Sequence, residues 1–380
     1  MLYKASSIAK IRILQIGKYY YPYRGGFESS LYTLINELKN EFDFQVLAAH
    51  TRVKTVIEKT NNLTVIRLGS LGKIFSQPLT PALLPWLKRL SADIVHIHLP
   101  NPLAMFFYLI ASPKGKLIVS YHNDIVRQGI MMPFLRPFLK KILNRANLII
   151  VTSQNLLNSS EMLRAFRGKC RIIPHGIDLN RFRASLEVLA EADKIRRKIN
   201  KPIILFVGRL VYYKGLEYLI QAMQEIDARL MIIGEGPLER KLKLQAKLRG
   251  VCTKIIWLRD ISDDHLPIYY QACDVFVLPS CEKSESFGLV ILEAQASGKP
   301  VVTTDLPTGV TFTNLHQRTG LVAAAKDSVS LASAINCLLA SKQLRDSYGR
   351  RARKRVKRKF TKERMSREIA DLYKALVRTL

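Results

Sequence analysis

Short apolar runs rich in β-branched residues alternate along this chain with longer stretches whose apolar positions recur every three to four residues. Runs of the first kind stand at 11–16, 44–48, 63–68, 93–98, 116–120 and 147–152. They read as strands covered on both faces, which lose the usual apolar/polar alternation. Turns containing Gly or Pro separate them from helix-period stretches, the first of which opens at Gly25-Gly26 and runs to about residue 40. The series restarts after residue 201, with strands at 203–207, 229–233, 254–258, 274–278 and 300–304. Helices are expected between them at 215–225, 237–249 and 287–297, and Gly320-Leu-Val322 resumes the pattern. Such alternation predicts an α/β protein with two doubly wound, mainly parallel sheets. The intervening 184–201 turns polar and charged and reads as a linker. Three helices close the chain, at 328–340, 342–359 and 362–377, the last carrying Ile369, Leu372, Tyr373 and Leu376 on one face.

Length agrees: 380 residues are long for one core and suited to two. Charge changes the picture more. Sixty Lys and Arg against 30 Asp and Glu give +30, a field that draws phosphate-rich partners, whether nucleic acid, anionic lipid or a nucleotide-linked substrate. Five cysteines without a CxxC pair point to free thiols in a reducing compartment. The apolar stretch at 99–111 is too short and Pro-interrupted to span a bilayer, and 11–16 is too short for a secretory core. The expectation is a cytoplasmic protein.

In doubly wound sheets ligands gather beyond the carboxyl ends of the strands, and several chemically suggestive residues fall there. Gly25 and Gly26 follow the first strand and remove side chains from a helix entrance, as an anion or sugar cradle or a plain tight turn would require. There is no GxGxxG, so a nicotinamide site is not supported. His98, His122 (in Tyr121-His-Asn-Asp124) and His175 lie at strand ends, without the spacing of metal ligands. In Gly208-Arg-Leu-Val-Tyr-Tyr-Lys-Gly215, Arg209 offers a planar fork and Lys214 a point charge, a pair suited to a diphosphate. In 279–300, Glu285 and Glu293 flank a helix entrance. The amides of Phe287, Gly288 and Leu289 would point out of that entrance toward an anion.

Taken in order, Gly25-Gly26, His122, Pro174-His-Gly-Ile-Asp178, Arg209 with Lys214, Gly234-Glu-Gly-Pro237 and the E-x7-E pair Glu285/Glu293 resemble the retaining glycosyltransferases of the large family 4. The resemblance implies the GT-B fold: two Rossmann-like domains facing across a cleft, with a C-terminal helix returning to the first. The expected domains are 1–183, completed by 362–380, on the acceptor side, and 184–361 for the nucleotide sugar. It implies that Gly25, Gly26, Arg209, Lys214, Gly234, Glu285, Phe287, Gly288, Leu289 and Glu293 bind the donor. Glu285 would contact the hexose and Glu293 the ribose, while His122 faces the acceptor and the transferred sugar. His122, Glu285, Arg209 and Lys214 are the expected catalytic residues. No metal or other cofactor is expected. Two positions depart from the family pattern: His175 stands where Asn is usual, and Leu306-Pro-Thr-Gly-Val-Thr-Phe-Thr313 departs from a G-G-x-x-E turn and lacks its acid.

The segment 121–128 together with 306–309 is most similar to bacterial mannosyltransferases of surface-polysaccharide assembly, which implies GDP-mannose as donor and a lipid-linked or saccharide acceptor. A UDP-sugar-using enzyme of the same fold is the nearest alternative. A glycoside hydrolase built on the same two glutamates is disfavoured if both share a helix, since they would stand ~12 Å apart along its axis where about 5–5.5 Å is needed. The segment 129–143 mixes Met, Phe and Leu with Arg136, Lys140 and Lys141, and 350–359 is a basic block. Both suit a peripheral position on the inner face of an anionic membrane. A nucleic-acid binder would use the basic block for phosphates, but the block lacks interleaved stacking aromatics, and no nucleic-acid partner is expected.

Overall fold

Arg12–Ile16, apolar and buried over its last four residues, is a central strand of an eight-stranded sheet. In this computed structural model, which describes residues 10–23, 25–74, 77–124 and 132–378, that sheet runs in the order Cys170–Ile172, Leu148–Val151, Lys116–Tyr121, Ile94–Leu99, Arg12–Ile16, Asp43–Ala49, Leu63–Leu68, Val56–Thr60. All neighbours are parallel except the last pair. The strand order reverses between Arg12–Ile16 and Ile94–Leu99, and at such a switch point the strand ends leave a crevice for a ligand.

The second sheet has six parallel strands in the order Ile255–Leu258, Arg229–Ile233, Ile203–Val207, Val275–Leu278, Val301–Thr304, Gly320–Ala323. Its switch point lies between Ile203–Val207 and Val275–Leu278. The loops leaving those two strands are the ones that carry Arg209, Lys214 and Glu285.

Each sheet anchors its own unit. One comprises Met1–Thr152, Ser160–Ile173 and Lys362–Leu380; the other comprises Ser153–Ser159 and Pro174–Thr361. The last helix, Lys362–Arg378, belongs to the first unit. Its Met365, Ile369, Ala370 and Tyr373 pack among Phe42, Phe44, Ile94 and Ile118. Because Tyr373 is fully buried, the helix is part of that core rather than an appendage.

Two expectations need correction. The stretch 184–201 is no linker: Leu186–Ile199 is a helix, capped by the Ser185 hydroxyl, which accepts from the Val188 amide at 3.2 Å. Only Ala192 is fully buried on it, with Ile195 and Ile199 partly so. A stripe that narrow leaves the composition polar, which is why it read as a tether. Arg196 pins the helix by donating to the Ala272 carbonyl at 2.7 Å and pairing with Asp274 at 3.0 Å.

The units also divide at 173/174 rather than after 183, and Ser153–Ser159 goes with the second. There Asn155 Nδ2 donates to Thr311 Oγ1 at 2.8 Å and Ser159 Oγ to the Pro307 carbonyl at 2.8 Å. Among the strands that sequence missed, Val56–Thr60 and Cys170–Ile172 are the edge strands of the eight-stranded sheet. The first is almost wholly exposed, so no apolar run marks it.

Candidate active site

The loop after Ile203–Val207 and the loop after Val275–Leu278 are joined covalently only through long chain segments, yet they bond to each other directly. Cys281 N–H donates to the Tyr213 carbonyl at 2.8 Å, and Lys214 Nζ meets Glu285 Oε2 at 2.6 Å. Both side chains of this ion pair are about nine-tenths buried. Ser280 Oγ donates to the same carboxylate oxygen at 2.9 Å. Burial pulls the Lys214 pKa down, but the charge and hydrogen bond of Glu285 outweigh it, so the net shift is upward and the ammonium form is held. Gly215 makes the approach of the loops feasible. Its φ is +66°, and a Cβ there would lie 2.0 Å from the Pro279 carbonyl oxygen.

Arg209 differs from Lys214: it is exposed, and no carboxylate pairs with it among the described residues. One cation of the expected diphosphate pair is therefore fixed and spoken for, and the other is open. Gly234 is explained by packing, since a Cβ there would lie 2.1 Å from the Gly208 carbonyl oxygen. It lets the Gly234–Pro237 turn close against the Arg209 loop.

Glu285 lies in the loop and Glu293 on the helix Leu289–Ala296, which starts two residues later than the 287–297 expected. The two glutamates do not share a helix, so the axial separation argued from sequence does not apply to them. Gly288 caps the helix at φ +74°. Among the described residues no acceptor reaches the N–H groups of Phe287, Gly288 or Leu289, which leaves them as orphan donors of the helix start.

Their position is set from behind. The buried Phe287 ring meets His175 edge-on at 5.1 Å between centroids and packs on Phe312 and Phe360. Gly309 N–H donates to the Ser286 carbonyl at 2.7 Å, and a Cβ on Gly309 would lie 2.6 Å from that oxygen and from the Phe287 ring. The departure at 306–309 thus keeps a glycine where backbone and ring demand one.

Glu293 is half-buried and accepts from Tyr270 OH at 2.7 Å. Burial raises its pKa, against the Tyr270 hydrogen bond and the nearby Arg181 charge, which lower it. Sequence gave no sign of Tyr270 or Ser280, because each acts only through a contact made by the fold. Cys281 is buried and its thiol is pushed up to about 11, first by burial and then by Glu282, so it stays protonated near neutrality.

In the first unit, Gly25 caps the helix Gly26–Leu38 in extended conformation. A Cβ on Gly25 would lie 2.1 Å from Glu28 Oε2. The space the glycine leaves is used by this chain's own carboxylate, so the cradle is already negatively lined. His122 follows Lys116–Tyr121 and is only 5% exposed, with its ring stacked on Phe27 at 4.5 Å. Its Nε2 stands 3.1 Å from His98 Nδ1. The two histidines singled out on this sheet edge are thus in direct contact, while His175 lies in the other unit as a core residue beneath Phe287.

Of the two basic segments, 129–131 lie outside the described residues. The remainder forms part of the helix Met132–Arg145, with Phe134, Arg136, Phe138, Lys140 and Lys141 exposed. The block at 350–359 is on the helix Lys342–Lys359, where Val356 is buried, as is Phe360 just beyond it. Arg355 turns inward onto the Phe312 and Phe360 rings, so one member of the block is a packing residue.

Two α/β units of this topology, with paired loops of opposite charge at one switch point, define a GT-B glycosyltransferase, and the comparisons agree. Residues 24–181 match the model of Glycosyltransferase Family 4 and residues 190–355 that of Glycosyl transferases group 1. The chain belongs to the group 1, family 4 glycosyltransferases. It is 29% identical over 371 residues to an O-antigen chain mannosyltransferase of Escherichia coli, covering 97% of this chain and 99% of that one. It is 32% identical over 271 residues to a D-rhamnosyltransferase of Pseudomonas aeruginosa, covering 71% and 70%. In fold it matches a sucrose-phosphate synthase from Thermosynechococcus elongatus with a TM-score of 0.82 at 24% identity, over 98% and 100% of the two chains.

The buried pair makes stability and function separable. Lys214→Met should cost about 3–5 kcal/mol in urea unfolding, because it strands the Glu285 carboxylate. Lys214→Met/Glu285→Gln should recover more than half of that loss. A double variant as unstable as the two single effects summed would remove the coupling.

His175 gives a pH signature. Burial depresses its pKa from 6.5 to about 4, so the unfolded chain takes up the proton first as pH falls. This contribution to stability is complete above about pH 6.5 and is lost on falling through about pH 4. Between pH 7 and 4.5 the wild type should lose on the order of 2–3 kcal/mol more than His175→Asn. Parallel pH profiles for the two proteins would refute the assignment.

Proposed function

We propose that this chain transfers mannose from GDP-mannose, with retention at the anomeric carbon, to a hydroxyl of a lipid-linked or polysaccharide acceptor in surface-glycan assembly. The observation that carries the reading is the exposed Arg209 beside the Lys214–Glu285 pair and the orphan amides of Phe287–Leu289. These are preorganised positive groups at the switch point of one sheet, where a leaving diphosphate would gather charge. As the anomeric C–O bond breaks, its electron pair passes to the phosphate oxygen, which these groups stabilise. The acceptor hydroxyl attacks from the same face and gives its proton to that oxygen. Glu285 orients the hexose hydroxyls and Glu293 holds the ribose. The cationic work is done by side chains and amides, with no metal required.

Mannose as the sugar is supported by the relatives, among them the Escherichia coli enzyme above and a GDP-mannose-dependent phosphatidylinositol monomannoside mannosyltransferase of Mycolicibacterium smegmatis, 27% identical over 335 residues. The D-rhamnosyltransferase relative favours a second donor. D-rhamnose is mannose without its 6-hydroxyl, so the two sugars present the same 2-, 3- and 4-hydroxyls to Glu285.

Attachment to an anionic membrane is supported by a patch on the first unit. Phe106 and Ile110 on the helix Pro102–Ala111 are exposed, as are Phe134 and Phe138, and the Phe106 and Phe138 rings meet at 5.5 Å. Arg136, Lys140, Lys141 and Arg145 share the helix Met132–Arg145 with Phe134 and Phe138. Among the described residues no helix is long and apolar enough to cross a membrane, so attachment would be at the surface.

Steady-state kinetics with varied GDP-mannose tests the site. Arg209→Ala should stay folded and lower kcat roughly 10²–10³-fold, whereas Glu293→Ala should act chiefly by raising the donor KM. Wild-type kcat in Arg209→Ala would sink the assigned role. In thermal shift, GDP at 100 times its Kd should stabilise by about 2.7 kcal/mol. Equal shifts with UDP, or a shift only with an oligonucleotide, would overturn the donor.

Sedimentation tests the membrane reading. Recovery with phosphatidylserine vesicles should exceed that with neutral vesicles and fall as salt rises. Neutralising Arg136, Lys140 and Lys141 should weaken partitioning roughly 100-fold, from about 1 kcal/mol per charge. Equal recovery with both lipids at low salt would eliminate it.

A further inference from the structure

Beneath His122 the first unit buries a chain of polar side chains where its sheet would otherwise hold only apolar ones. His122 Nε2 lies 3.1 Å from His98 Nδ1, and His98 Nε2 lies 2.9 Å from Gln15 Oε1. Gln15 Nε2 lies 2.8 Å from Tyr373 OH, which in turn is 2.7 Å from His96 Nδ1. His96 Nε2 ends the chain 2.8 Å from Ser120 Oγ. Gln15 and His96 on the strands and Tyr373 on the last helix are all at 0% exposure. Burying this many polar atoms is expensive unless every one is paired.

Pairing links the directions of these bonds. With the Gln15 oxygen turned toward His98, His98 carries its proton on Nε2 and accepts at Nδ1, and His122 donates from Nε2. On the other branch the Gln15 amide donates to Tyr373, which donates to His96, which donates to Ser120. Burial, and secondarily His98, holds the His96 pKa well below 6.5, so this ring is neutral and has a single proton to place. Turning the Gln15 amide over would reverse every bond in both branches at once. The network is therefore all-or-none, and one amide sets the tautomer of the histidine at the sheet edge.

We propose that Gln15, His98 and Tyr373 are positioning residues for glycosyl transfer, holding His122 with a proton on Nε2 toward His98 and its ring plane against Phe27. The role rests on the transferase reading above, in which His122 faces the sugars. Tyr373 reaches it only through other side chains, from a helix more than 200 residues away in sequence.

The test is nitrogen NMR of the full chain labelled at its seven histidines, which reports tautomers without any turnover. His122→Asn and His98→Asn assign the two spectra by loss of signal. The wild type should show His98 protonated at Nε2 alone and His122 carrying a proton on Nε2. Tyr373→Phe keeps the ring in the core but releases Gln15, and should give mixed tautomers at both. In the same variant kcat should fall roughly 10- to 100-fold, by analogy with groups that orient metal-bound histidines, with donor KM unchanged. Nδ1–H tautomers in the wild type would overturn the proposal whether or not any variant folds. Unchanged signals in a folded Tyr373→Phe would overturn it as well. If GDP-mannose proved not to be the donor, the tautomers would still decide this point, so the two readings fail separately.

Discussion

The second unit depends on one buried ion pair. Lys214 and Glu285 are far apart in sequence and sit on loops from adjacent strands, yet they meet at 2.6 Å with almost no access to water. An ammonium and a carboxylate taken out of water cost several kcal/mol each unless each serves the other. The pair therefore obliges both loops to be in register, and the surroundings follow: Gly215 without a side chain against Pro279, the Cys281 amide on Tyr213, and Ser280 on the second lone pair. The same constraint leaves Arg209 as the cation free to meet a ligand. The ion pair thus holds Lys214 in place and leaves Arg209 exposed on the same loop.

Behind the pair, aromatic packing does for the amides what the ion pair does for the loops. Phe287 is wedged among His175, Phe312 and Phe360, and Gly309 closes on it from the Leu306–Gly309 turn. The donors at the helix start are thereby fixed by residues that need not touch a ligand. His175 is buried in that core, and burial holds its pKa down to about 4. The first unit uses a polar solution instead. His96, His98, Gln15 and Tyr373 tie the last helix to the sheet edge through paired hydrogen bonds, and Tyr373 also supplies apolar contact to Phe42.

The sequence by itself determined the two-sheet α/β plan, the strands with strong apolar runs, the three closing helices and the motif residues at the switch points. Each is a local property, since a buried parallel strand must be continuously apolar and a turn that approaches a backbone must have glycine. Gly234, Gly288 and the Arg209/Lys214 loop were legible for that reason. The helix Leu186–Ile199 was not, because its apolar stripe is one residue wide at full burial. Nor was the exposed edge strand Val56–Thr60, which has no buried face to record.

What only the tertiary structure decided is pairing. Nothing in the spacing of Arg209 and Lys214 shows that one is neutralised by Glu285 and the other is open. Nothing in Gly25-Gly26 shows that Glu28 fills the space beside them. Tyr270 on Glu293, Gln15 on His98 and Tyr373 on His96 join residues up to 277 positions apart. A hydrogen bond or an ion pair is a relation between two distant points of the chain, worth having only where folding removes water from both. Periodicity reports which side of an element is buried, but the identity of the partner across that surface is set when the elements pack.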